Sequence, residues 1–459
     1  MSSAPLPSRF EELRELWKLA LPIAIAQAGQ SLMGFVDTAV VSRVGTHALA
    51  AVGLSTAVFF ALCSFAIGLM MGVDPLVSQA IGARNAMRAR SLLWQGSYLA
   101  ILVGVVLAIP LGVVPRLLPR FGVDFAELPE VRDYLTLRAL SLPLLLLFIT
   151  ARAFLQATGR PRVLVVSTVL ANLFNLGANI VFVFGGEGLP AFLGPLRQVP
   201  ALGVKGSALA TLLACVVQWA IVAWAVHLTP TSGGKPSLRP VRADMLQALR
   251  VGLPIGLHIA AEVGVFSLAG VLARWLGPES MSAHQIAISF GSVSFAMALG
   301  IGNAGSVRVG WAVGARNTPL ARRSGMTAFA SGAGFMTVSA LMYALLPRQL
   351  ATLMGAPAEV LPLVVPLLMV CAVFQISDGI QGVGAGVLRG AGETRFTFYA
   401  NVVGHYLVGL PVALVLGFGL KLGVVGIWWG LCAGLTAVAL ALFWRFERQS
   451  AGTLQPLEG

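Results

Sequence analysis

Long apolar stretches alternate with short polar ones along almost the whole chain. Runs of about 20 mostly apolar residues, enough to cross a bilayer, can be read at 20–42, 48–73, 91–114, 132–156, 163–185, 203–227, 250–274, 281–306, 324–346, 360–387, 396–418 and 422–444. Transmembrane barrels alternate polar and apolar residues and rarely show such unbroken runs. The pattern therefore predicts an all-α polytopic membrane protein with about twelve spanning helices. Ahead of the first run, Arg9, Glu11, Glu12, Arg14, Glu15 and Lys18 read as a short amphipathic helix. The run that follows is span-length, which predicts a retained anchor rather than a cleaved signal.

The pattern also repeats. Leu21-Pro22-Ile23 recurs as Leu253-Pro254-Ile255, an offset of 232 residues (253 − 21). At the same offset Gly45 meets Gly277, Gly68 meets Gly300, and Gly82-Ala83-Arg84-Asn85 meets Gly314-Ala315-Arg316-Asn317. Further on, the segment Leu155–Gly159 faces Leu388–Gly392, and Leu202-Gly203 faces Leu422-Gly423. Collinear matches of this kind predict two six-helix repeats around a central cavity, as in secondary transporters. The expected division is a first lobe at 1–228, a cytoplasmic linker at 229–249, a second lobe at 250–445 and a cytoplasmic tail at 446–459. Six spans per repeat make the two copies parallel in topology.

Composition excludes other classes. Of 459 residues 57% are hydrophobic and 11% charged, against about 25% charged in soluble domains. The net charge of +13 sits between apolar runs rather than on one face, so it reads as loop charge and not as a nucleic-acid surface. Alternate loops hold Arg84, Arg88 and Arg90; Arg160 and Arg162; Lys235, Arg239, Arg242 and Arg250; Arg316, Arg322 and Arg323; and Arg389 and Arg395. The opposite loops hold Asp124, Glu127, Glu130, Asp133, Glu187, Glu279 and Glu359. The positive-inside rule then puts both termini in the cytoplasm. Cys63, Cys215, Cys371 and Cys432 stand alone in apolar segments, with no pairing that would hold a metal.

Candidate chemistry lies in the polar residues that interrupt the spans. An ionised side chain at mid-bilayer costs about 2.5–3.5 kcal/mol on insertion scales, so such groups usually face a cavity and serve a function. Asp37 belongs to a stripe with Gln27, Gln30, Ser31, Gly34 and Thr38 at helical spacing, expected to face inward; hydrogen-bond glue between helices is the competing reading. Glu262 lies mid-span with His258 one turn earlier, a histidine read as a packing residue. Asp378 is flanked by Gln375 and Gln381, whose amides are expected to orient it. Asn172, Asn175 and Asn179 recur at steps of three and four, able to bond a carboxylate or a cation. Asn401, His405 and Tyr406 read as packing residues. Asp74, near Arg84, reads equally well as a structural ion pair.

These residues resemble a known family. Val36-Asp37-Thr38, Asp74-Pro75-Leu76-Val77-Ser78-Gln79 with Gly82, Glu262, and Asp378-Gly379 with Leu388-Arg389-Gly390 look like the multidrug and toxic compound extrusion (MATE) family, in its NorM-type branch. The resemblance implies a cation-coupled antiporter of the cytoplasmic (inner) membrane that expels small organic cations and drugs, driven by H⁺ or Na⁺ and needing no other cofactor. By resemblance Glu262 and Asp378 form one cation site, a candidate for Na⁺, and Asp37 with Asn175 and Asn179 forms another. Phe374 stands where NorM-type proteins can carry a tyrosine, which weakens the case for Na⁺. A monomer is expected. A lipid-precursor flippase of the same fold would need a cationic cavity. An intramembrane enzyme would need a motif such as HExxH or GxSxG, which the sequence lacks.

Overall fold

The computed structural model describes residues 6–121, 128–187, 191–230 and 238–457. Asp124, Glu127 and Lys235 of the orientation argument fall outside them. Among the described residues twelve helices are long and apolar enough to cross a membrane. They are α1 (Arg9–Val41), α2 (Thr46–Gly82), α3 (Ala86–Arg120), α4 (Leu128–Ala157), α5 (Arg162–Phe184), α6 (Val204–His227), α7 (Arg242–Trp275), α8 (Pro278–Gly314), α9 (Thr318–Leu345), α10 (Leu361–Gly390), α11 (Arg395–Gly419) and α12 (Gly423–Ala451). A turn at Met71-Gly72 interrupts α2, and π-helical turns at Val403–Gly409 and Val415–Gly419 interrupt α11.

The repeat read from sequence is a repeat of helix boundaries. The helices α2 and α8 start 232 residues apart (278 − 46) and end 232 apart (314 − 82). For α4 and α10 both offsets are 233 (361 − 128 and 390 − 157). Each copy stops its helices in the same way. The Asn85 and Asn317 amides donate to Ala80 O and Ala312 O, each at 2.9 Å, while Arg84 and Arg316 sit at φ 58° and 54°. A six-to-one bond around a left-handed residue satisfies a carbonyl that the helix end leaves open. The ends of α4 and α10 repeat the device, with Gly159 (φ 73°) and Gly392 (φ 86°) in the left-handed position, where glycine carries no Cβ penalty.

Gly82 and Gly314 are conserved between the copies for a different reason, close approach. A Cβ on Gly82 would overlap Trp311 O, and one on Gly314 would overlap Gln79 O. Trp311 is the repeat equivalent of Gln79, so the two helix ends meet as mirror partners. Gly314→Ala is expected to destabilise the protein by about 1–3 kcal/mol, the usual range for overpacking. Gly334→Ala, where a Cβ meets nothing within 4 Å, should not. Thermal unfolding of the two variants in detergent compares them directly.

Three features differ from the sequence expectation. The amphipathic start and the first span form one helix, because Glu12 is fully buried: it accepts from Arg308 Nε and Nη2 and from Ser324 Oγ, all at 2.6 Å. Pro22 and Pro254, a few residues into the apolar runs 20–42 and 250–274, sit well inside α1 and α7, where each removes one backbone donor. Asp74 pairs not with Arg84 but with Arg389, at 3.6 Å, and Arg389 also donates to Asn303 Oδ1 at 2.6 Å. Arg389 is thus a buried structural charge rather than a loop charge.

The described residues sort into two compact units. One comprises those of Met1–Ile25, Asp74–Asn85 and Arg250–Gly459; the other comprises those of Ala26–Val73 and Ala86–Leu249. The helices α1 and α2 contribute to both. In the first unit the chain after α12 docks rather than trailing free, with Leu457 N–H donating to Gln79 Oε1 at 2.8 Å and Leu454 N–H to Thr318 Oγ1 at 3.1 Å. In the second, Arg88 on α3 holds Asp244 by a two-bond pair at 2.6 and 2.8 Å.

Candidate functional site

The acids that the sequence singled out at 37, 262 and 378 lie inside membrane helices, one in the second unit and two in the first. In the second unit α1, α5 and α6 converge on Asp37, which is 5% exposed. Asn175 Nδ2 and Asn179 Nδ2 donate to its Oδ1 at 3.1 and 2.8 Å, and Thr211 Oγ1 donates to its Oδ2 at 2.6 Å. Three side chains from two other helices thus hold the Asp37 carboxyl in place. The Oδ1 atoms of Asn175 and Asn179 have no partner among the described residues. Two free amide oxygens beside a carboxylate and a hydroxyl make an oxygen-rich donor set suited to a small hard cation.

Asp37, Asn175 and Asn179 were legible from the sequence, whereas Thr211, one of several polar residues scattered along α6, was not. Nor was Arg138. This arginine lies ten residues into α4, its Cζ stands 4.1 Å from the centroid of the Phe59 ring, and its charge acts on Asp37. The polar stripe itself divides. Ala26, Met33, Asp37 and Val40 are buried with Gln30 at the margin, while Ser31, Gly34 and Thr38 lie on the exposed side. No hydrogen bond joins Gln30 to Asp37; its Nε2 is unpartnered among the described residues. Asn172 leaves the group as well, donating to Gly29 O at 2.9 Å and so tying α5 to α1.

The first unit holds Glu262 on α7 and Asp378 on α10. His258 is no mere packing residue. Its Nε2 lies 3.3 Å from Glu262 Oε2, and its Nδ1 lies 3.3 Å from Thr397 O. A carbonyl only accepts, so Nδ1 carries a proton. The Nε2–Oε2 contact then needs one proton more, on the imidazole or on the carboxyl. Gln381 Nε2 also donates to Glu262 Oε2, at 3.3 Å.

Asp378 is 4% exposed and makes no hydrogen bond or ion pair among the described residues. It lies within electrostatic range of Glu262. The expectation that flanking amides orient it does not hold: Gln381 turns to Glu262, and neither polar atom of Gln375 has a partner among the described residues. Phe374 is buried in an aromatic group, its ring 6.1 Å from Phe266 and 5.5 Å from Trp428.

The MatE family model matches residues 22–181 and again 254–415, two stretches whose starts are 232 residues apart (254 − 22). Relatives match nearly end to end. The chain is 32% identical to the multidrug resistance protein NorM of Burkholderia vietnamiensis, over 99% of this chain and 97% of that one. It is 35% identical to a probable multidrug resistance protein NorM of Rhodopseudomonas palustris, over 96% and 92%. The fold is shared with a multidrug resistance MATE family transporter of the MOP superfamily (TM-score 0.85, 21% identity, 99% of this chain and 100% of that one). It is shared too with a eukaryotic MATE transporter (TM-score 0.82, 20% identity, 96% and 98%). With one match of the family model in each repeat and relatives aligned along almost its whole length, the chain belongs to the MatE family, in its NorM-type branch.

Proposed function

We propose that this protein is a proton-coupled multidrug efflux antiporter of the cytoplasmic membrane, with both termini cytoplasmic, exporting small organic cations by alternating access. The observation that carries the reading is the His258–Glu262 pair, an imidazole and a carboxyl group 3.3 Å apart within an apolar helix, two groups able to exchange a proton. Asp378 beside it is a second carboxylate able to take a proton or a cation. Each occupant favours a different arrangement of the helices, and a ligand can shift that balance only by its differential affinity for the two states. Each positive charge entering down a 100 mV potential supplies about 2.3 kcal/mol, roughly a fifty-fold concentration ratio when fully coupled. The names of the relatives support the substrate class, and the acidic intramembrane charges suit cations. Each chain carries both repeats, so a monomer completes the fold.

Sodium is the second reading, supported by the free amide oxygens around Asp37 and opposed by the apolar Phe374 beside Asp378. Purified protein in proteoliposomes, given a pH gradient and a Na⁺ gradient in separate experiments, discriminates the two. A proton gradient alone is expected to drive accumulation of a cationic dye. Accumulation driven by Na⁺ alone would move the coupling to sodium, and accumulation under neither would end the antiporter reading.

A further inference from the structure

Asn401, His405 and Tyr406 of α11 were read as packing residues, and the first two do not behave as packing groups. Three contacts set its register against α7: His258 Nδ1 donates to Thr397 O at 3.3 Å, Tyr406 Oη donates to Ala261 O at 2.8 Å, and the His405 ring lies 6.3 Å from the Phe266 ring. Glu262 lies midway between His258 and Phe266. Asn401 lies midway between Thr397 and His405, so it stands level with Glu262. Asn401 and His405 are both 0% exposed, and neither the two amide atoms nor the two ring nitrogens have a hydrogen-bond partner among the described residues. On the α10 side, both polar atoms of Gln375 and the Oε1 of Gln381 are in the same condition. The stretch that carries His405 is π-helical, a rare local geometry frequent at functional sites.

Another histidine of this unit gives the contrast. His284 is 3% exposed, and its Nδ1 accepts from Trp428 Nε1 at 3.1 Å. That is how a histidine is satisfied in a dry interior. Seven unpartnered polar atoms, on α10 with Asp378 and on α11 alongside α7, are not satisfied that way, and native proteins leave very few such atoms without a partner.

We propose that Gln375, Gln381, Asn401 and His405 hold a buried water cluster that joins the His258–Glu262 pair to Asp378. The chemistry selects water. The orphaned atoms include donors and acceptors together, since an amide offers both and a neutral imidazole offers one of each. A bare cation would satisfy the oxygens and leave the N–H groups unmet; a donor-only organic cation would do the same. Water meets both, and buried waters usually make about three hydrogen bonds to groups of this kind. Resting on the proton-coupled reading above, the cluster is the path by which a proton leaving the His258–Glu262 pair reaches Asp378. One O–H bond forms at each water as another breaks, the last on an ionised Asp378 carboxylate, so a single proton moves one way and one negative charge shifts to the His258–Glu262 pair.

Radiolytic hydroxyl labelling of the wild-type protein tests the water itself, since radicals made from bound water attack the side chains that touch it. His405 is expected to be oxidised about tenfold faster than His284, although both are buried. Equal rates at the two histidines, low or high, would overturn the proposal. A second arm uses His405→Leu, Asn401→Leu and His405→Gln. The leucine variants should lose about tenfold in proton-driven dye accumulation, and His405→Gln should recover most of it, because water needs a hydrogen-bonding group there and not a charge. Leucine variants that keep full transport and unfold at a higher temperature would show a dry site. Rapid His405 labelling in a protein that shows no proton-driven transport would leave the water standing and refute the coupling instead.

Discussion

Asp37→Asn is expected to cut gradient-driven efflux of cationic dyes by about 10- to 150-fold, the range given by losing about 1.5–3 kcal/mol of charge-assisted interaction. The fold should survive the change. The Asn175 and Asn179 amides now aim their Nδ2 atoms at Asp37 Oδ1, while their own Oδ1 atoms are unpartnered among the described residues. An introduced amide nitrogen at position 37 therefore meets acceptors as soon as either asparagine rotates end for end. What disappears is the negative charge beside the two amide oxygens and Thr211. Dye efflux from energised cells, normalised to protein inserted in the membrane, measures the effect. Unchanged efflux would reduce the Asp37 cluster to interhelical hydrogen bonding.

Most of the architecture was legible because repetition and hydrophobic length are properties of the chain itself. The 232-residue offset read from Leu-Pro-Ile and Gly-Ala-Arg-Asn reappears as matching helix ends, and its physical content is the left-handed stop at Arg84 and Arg316 and the close approach of Gly82 to Trp311 and of Gly314 to Gln79. Buried pairing was not legible, because partners such as Glu12 and Arg308, or Asp74 and Arg389, come from helices far apart in sequence. For that reason an amphipathic start and a set of loop charges turned out to be partly interior.

The same limit shaped the site. Acids inside apolar runs announce themselves by their cost in lipid, and Asp37, Glu262 and Asp378 all prove buried or nearly so. The neutral groups that complete each cluster carry no such signal. Thr211 is one hydroxyl among many, and His258 looked like packing until its two nitrogens were seen to face a carbonyl and a carboxylate. Arg138 was legible in principle, since a cation inside an apolar run is as costly as an anion, but nothing in the sequence names the acid on which its charge acts.

The Glu262–Asp378 cluster carries the other large effect. Glu262→Gln and Asp378→Asn preserve size and hydrogen-bonding capacity while deleting charge, so each protein should insert and fold. In Glu262→Gln the introduced amide can donate to His258 Nε2, which keeps the imidazole in place but removes the exchange of a proton between two titrating groups. In Asp378→Asn the group lost is the one without a hydrogen bond or ion pair among the described residues, the carboxylate freest to accept an incoming ion. If the two acids pass one proton between them, either change alone breaks the relay. Each single variant should then lose about a hundredfold in proton-driven dye accumulation, and the double variant should fall within about threefold of the worse single, because members of one working unit are strongly non-additive. Losses that multiply in the double variant would mean two independent sites. Wild-type accumulation in either single variant would take the coupling ion out of this cluster and leave Asp37 to carry it.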